Sequence, residues 1–181
     1  MMRNLSTAGE KRLVLRRIIV FGAVAFLLGV LQCSFFSRLK PFGAVPNLML
    51  GSLCAITMID NKRTAAVYGI AAGYFIDALG AVPPSFSPVF FLICVLVFGK
   101  ISDKMMPRFI SYLVIMAVAV VMGGAFTYVN LCVAISGIPS FGVFLRIALP
   151  EMLCTYVFCL PVYFIIGLCM YPILLDGKQD R

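Results

Sequence analysis

Hydrophobic residues in this chain fall in long runs separated by short polar breaks, and the runs are the first guide to its elements. Six are read as membrane helices: Ile18–Phe36, Pro46–Ile59, Ala65–Val82, Pro84–Ile101, Phe109–Ser136 and Pro150–Leu175. The breaks carry turn chemistry: Arg38-Leu-Lys-Pro-Phe-Gly, Asp60-Asn-Lys-Arg, Val82-Pro-Pro-Ser, Ser102-Asp-Lys and Ser136-Gly-Ile-Pro-Ser. A straight crossing of the hydrocarbon core takes about 20 residues, so the second and fourth runs are short and are expected to be tilted, interrupted or shielded by protein. Residues 1–17 form a basic N-terminal segment and residues 176–181 a short tail.

Composition removes whole classes of function. The 181 residues are 62% hydrophobic and 12% charged, against about 45–50% and about 25% in soluble domains. Six spans use roughly 120 positions and leave some 60 for loops and tails, which excludes a soluble catalytic domain. The net charge of +8 does not describe a nucleic-acid surface, because the basic residues sit at the ends of apolar runs and act there as topology signals. With the N-terminus inside, the inner segments hold Arg3, Lys11, Arg12, Arg16, Arg17, Lys62, Arg63, Lys100, Lys104, Arg108, Lys178 and Arg181. The outer loops hold Arg38, Lys40 and Arg146. The expectation is an all-α integral membrane protein, six transmembrane helices in a compact bundle, with both termini cytoplasmic. Removing either short span would put basic loops on the wrong side. The first run is too long for a signal peptide and lacks an Ala-x-Ala site, and Val30-Leu-Gln-Cys33 lacks the small residue of a lipoprotein cleavage box. Lys11–Arg17 is read as a stop at an anionic leaflet.

Candidate chemistry is sparse. Histidine and tryptophan are absent, and the seven cysteines lie within apolar runs with no Cys-x-x-Cys pair, as small hydrophobic fillers do. No metal or cofactor is expected, and no hydrolase, metalloprotease or phosphate-loop motif is present. A dyad of Asp77 with Glu151 is conceivable in depth, but nothing in the sequence fixes it.

The third run has a clearer pattern. Ala65, Gly69, Gly73, Asp77 and Ala81 recur every four residues and form one small-residue ridge. Such a ridge serves close packing within the bundle or the docking of a partner helix, and both readings stay open. Asp77 lies about 21 Å beyond Arg63 at helical rise, where a carboxylate must face protein or water. It either fixes helix packing or lines a site. Gln32, Asn47, Asp77, Asn130, Glu151 and Thr155 all fall in the outer halves of their spans, either as one outward-facing polar cluster or as residues at the outer interface. Pro150 is expected to start the last helix with Glu151 in its first turn, and Pro161 to kink it.

The stretch Pro46-Asn-Leu-Met-Leu, Asn61-Lys-Arg, Gly69-x-x-x-Gly73-x-x-x-Asp77-x-x-Gly80 resembles the rod shape-determining MreD family. The likeness is strongest over residues 41–101 and continues in Pro150-Glu-Met-Leu-Cys-Thr-Tyr and Pro161. The chain departs from the family's usual pattern at Asn47, where Asp is frequent, and at Thr155, where Asn is frequent. The resemblance implies a non-enzymatic subunit of the bacterial inner membrane, with Gly69, Gly73, Asp77, Gly80, Pro46 and Asn47 at helix-packing or partner contacts. The implied partners are a bitopic MreC-like protein and, through it, MreB, RodA and a class B penicillin-binding protein, with no small-molecule substrate. The family is similar in architecture to the six-helix solute-binding subunits of vitamin transporters. That gives a rival reading in which Asp77, Asn130 and Glu151 line a solute pocket.

Overall fold

The computed structural model describes residues 3–60, 62–79, 86–104, 109–135 and 141–179. Among them there is no strand, and six helices account for nearly all of the chain. Helix α1 (Arg3–Val30) runs on through a π-helical stretch, Leu31–Phe36, and a last α-turn, Ser37–Leu39. A 3-10 turn, Pro41–Gly43, leads to α2 (Leu48–Ile59). Then follow α3 (Lys62–Leu79), α4 (Ser87–Ser102), α5 (Phe109–Ile135) and α6 (Phe141–Gln179). Three stretches are long and apolar enough to cross a membrane, Leu15–Leu39, Phe109–Val133 and Phe144–Cys169, which points to a membrane protein.

The start of the last helix departs from expectation. The basic N-terminal segment is helical and continuous with the first apolar run: α1 begins at Arg3, and the stretch apolar enough to cross a membrane begins at Leu15. Residues 3–17 lack proline and hold four Arg and three Leu, good helix formers that carry the helix into the apolar run without a break. Pro150 does not start the last helix. Helix α6 begins at Phe141 and carries Pro150 and Pro161 in its interior, so Glu151 is no first-turn carboxylate. Each proline removes one backbone donor. In an apolar surrounding the flanking peptide groups still have no better partners than their own helix, and the helix continues through the proline. Gly80 and the breaks Val82-Pro-Pro-Ser and Ser136-Gly-Ile-Pro-Ser lie outside the described residues.

Helix α2 is the axis of the bundle. It has 12 residues, about 18 Å at helical rise, and every residue from Leu48 to Met58 is buried. It touches all five other helices. Its sides are held by close approach: a Cβ on Gly51 would lie 2.4 Å from Cys159 Sγ, and one on Gly29 would lie 2.9 Å from Met49 Cε. Tyr112 Oη donates to the Cys159 carbonyl at 2.7 Å, joining α5 to α6, and Tyr68 Oη lies 2.6 Å from Ser52 Oγ, joining α3 to α2. The ridge of α3 faces inward as well. A Cβ on Gly73 would lie 2.5 Å from the backbone of Pro88, and one on Gly69 would lie 3.2 Å from Leu53 Cδ1 and 3.4 Å from Val95 Cγ2. The ridge therefore seats α4 and α2, and this part of it is not free for a partner helix.

The C-terminal end of α2 is tied down by charge. Asp60 ends the helix in an extended conformation and pairs with Arg17 of α1 at 3.0 Å, its side chain 6% exposed. Lys62 reaches the Asp103 carboxylate beyond α4, its stem lying over Gly99.

Candidate functional site

The opposite end of α2 opens on a large, partly polar cleft. A helix N-terminus leaves backbone N–H groups without partners, and inside a bundle those groups need side chains. Asn47 Oδ1 accepts from Leu50 N at 3.1 Å, as an N-cap does. Gln32 Oε1 accepts from Leu48 N at 2.9 Å and lies 3.4 Å from Met49 N. Asn47 N donates to Thr155 Oγ1 of α6 at 3.0 Å. Pro46 is buried beside this cap. Gln32 belongs to the π-helical stretch of α1, whose wider winding changes which side chains face the bundle.

Above this capped end lies a cleft of about 500 Å³. Its polar lining includes Gln32, Lys40, Asn47, Asn130, Arg146 and Glu151, and its apolar lining Ile76, Phe90, Phe91, Phe126 and Ile147. Phe90 of α4 and Phe126 of α5 stack with centroids 4.2 Å apart and make a firm aromatic wall. Glu151 Oε2 accepts from Thr127 Oγ1 at 3.2 Å. A smaller recess beside the cleft is shared by Asn47, Glu151 and Thr155.

Several of the polar residues singled out in the sequence come together here. Gln32, Asn47, Asn130 and Glu151 line one cleft, and Thr155 supports it through Asn47. Asp77 does not line it. Asp77 is half-buried on α3, one residue past Ile76, which does. Pro150 lies next to Glu151 within α6, and Pro161 sits further along the same helix on an exposed face. In the sequence Lys40 and Arg146 read only as topology signals. Their place in the cleft depends on the 3-10 turn and on α6 starting nine residues before Pro150.

Lys40 stands out in its backbone. Its φ of 40° and ψ of 60° put it in the left-handed region, the only such non-glycine among the described residues. It closes α1 there, its N–H bonded to Phe36 O at 2.9 Å and its carbonyl accepting from Gly43 N at 2.7 Å. A left-handed lysine costs about 1–2 kcal/mol relative to a glycine.

No family model, curated protein or solved structure matches this chain.

Proposed function

We propose that this chain is a non-enzymatic scaffold of the bacterial inner membrane, crossing it six times with both termini in the cytoplasm. In this reading it is an MreD-like subunit that pairs with a bitopic MreC-like protein and helps organise lateral peptidoglycan synthesis by the cell-elongation complex. One observation carries the reading beyond the resemblance. Four of the residues that make the resemblance lie around a single element: Pro46 and Asn47 lead into α2, with Asn47 as its N-cap, while Gly69 and Gly73 seat α3 against α2 and α4. Residues so placed set the shape of a bundle, which is what a scaffold presents to its partners. The basic count puts the N-terminal end of α2, and with it the cleft, on the outer side.

Affinity capture from gently solubilised membranes tests it. A bitopic coiled-coil partner is expected, together with restored rod shape when the chain is expressed in an MreD-depleted strain. Asp77→Asn keeps both, because the amide retains polarity and volume. Asp77→Leu loses both, since each partner group left unsatisfied costs about 1–3 kcal/mol. Equal activity of the leucine variant overturns the role of Asp77, and capture of an ATPase-coupled module overturns the scaffold reading.

A second reading, a solute-binding subunit, is favoured by the cleft itself. Its volume of about 500 Å³ falls in the range of small-molecule sites, about 300–1,000 Å³.

A further inference from the structure

The cleft has an imbalance of hydrogen-bonding groups. Gln32 and Asn47 accept backbone N–H groups of α2, so chemistry assigns the oxygen of each amide to the helix and leaves the amino group as a donor. Among the described residues those two amino groups have no partner, nor does the Asn130 amide. Lys40 and Arg146 likewise make no ion pair among the described residues. Five donor-bearing side chains therefore line the cleft beside one carboxylate, Glu151, which uses one oxygen on Thr127 and keeps Oε1 for another donor. The positive end of the α2 dipole adds to the same field. The stacked pair Phe90 and Phe126 lines the same cleft.

From this we propose that the cleft binds a phosphate-bearing amphiphile. The phosphate lies between Lys40 and Arg146 within reach of the amide donors, a hydroxyl or ammonium of the same head donates to Glu151, and an apolar body rests on the phenylalanines. A phosphate offers more acceptor oxygens than a carboxylate and suits this many donors. Lys40 supplies a second, independent sign. It occupies a left-handed position that glycine fills without strain, so the backbone gains nothing from having a lysine there. The same chemistry comes from a phospholipid head group or from a free phosphorylated solute. The proposal concerns the purified chain alone and does not rest on the scaffold reading, which is judged in cells.

The test uses the purified full-length protein in detergent micelles, titrated with phosphatidylglycerol, with phosphatidylcholine and with soluble glycerol phosphate, bound ligand being read by native mass spectrometry. Phosphatidylglycerol is expected to bind more tightly than phosphatidylcholine, whose head has no donor for Glu151. Competition by glycerol phosphate assigns the site to a free solute, and retention of the diacyl species alone assigns it to a lipid. Lys40→Gly should weaken binding about tenfold, a loss of one charge-assisted contact, while leaving the melting temperature unchanged or higher because the strain is relieved. Gln32→Glu keeps the cap on α2 but puts a second carboxylate in the cleft, and should weaken binding as much. Arg38→Ala, an exposed change outside the cleft lining, should leave binding within twofold. The proposal is overturned if no probe binds, if Arg38→Ala weakens binding as much as Lys40→Gly, or if Lys40→Gly melts lower without losing ligand.

Discussion

The long helices and the short ones hold their places for different reasons. Only 17%, 39% and 28% of the residues in the most apolar parts of α1, α5 and α6 are buried within the bundle, and the rest are half-buried or exposed. Helix α2, less than half the length of α5, is buried from Leu48 to Met58. An outward apolar face needs only length and hydropathy, because lipid tails accept any such residue. A short helix inside the bundle needs partners for its ends and room along its sides. Gln32 and Asn47 cap its start, Asp60 closes its end against Arg17, and Gly51 and Gly69 allow the close approach. The short helices should therefore respond to single atoms that the long ones ignore.

The sharpest way to break this contrast is at the α3–α4 contact. Gly73→Leu forces a side chain into the backbone of Pro88, and overpacking of a site that cannot give should cost about 3 kcal/mol or more. Ile70→Leu, on an exposed face of the same helix, should change stability by well under 1 kcal/mol. Thermal unfolding in detergent, read by a thiol-reactive dye as buried Cys54, Cys94 and Cys159 become accessible, compares the two. Similar melting curves would show that the ridge does not govern packing.

A smaller effect is expected at the cap. Gln32→Leu leaves the N–H groups of Leu48 and Met49 without acceptors, about 1–3 kcal/mol for each group. Gln32→Glu keeps the acceptors and adds a negative charge at a helix N-terminus, so its melting temperature should stay at or near that of the parent. If the leucine variant melts with the parent, water or another side chain serves the end of α2.

The smallest effect belongs to the long helices. A Cβ on Gly22 of α1 meets nothing within 4 Å. Gly22→Ala should therefore cost nothing, and its greater helix propensity should add at most about 1 kcal/mol. A clear loss by the same dye assay would mean that the outer face of α1 is covered in the native assembly.

Much of this architecture is legible in the sequence, because the physics behind it is local. Runs of apolar residues longer than a bilayer crossing must be helical, since no other local structure satisfies the backbone there, and α5 follows the fifth run to within one residue. The small-residue spacing of Gly69 and Gly73 marked a close contact for the same reason, although only the fold shows that its occupants are α2 and α4. The polar residues of the outer halves were identifiable one by one as groups needing partners. Their pairing was not, because Gln32 with α2, Asn47 with Thr155 and Thr127 with Glu151 join residues 16, 108 and 24 positions apart. A proline by itself does not mark a helix start here: in an apolar surrounding α6 continues on both sides of Pro150. Only the tertiary structure could bring Lys40 and Arg146 to one cleft. Charge near an apolar run speaks of topology in any sequence, and it becomes a binding site only where a left-handed turn and a helix extended past its proline carry two such charges to the same opening.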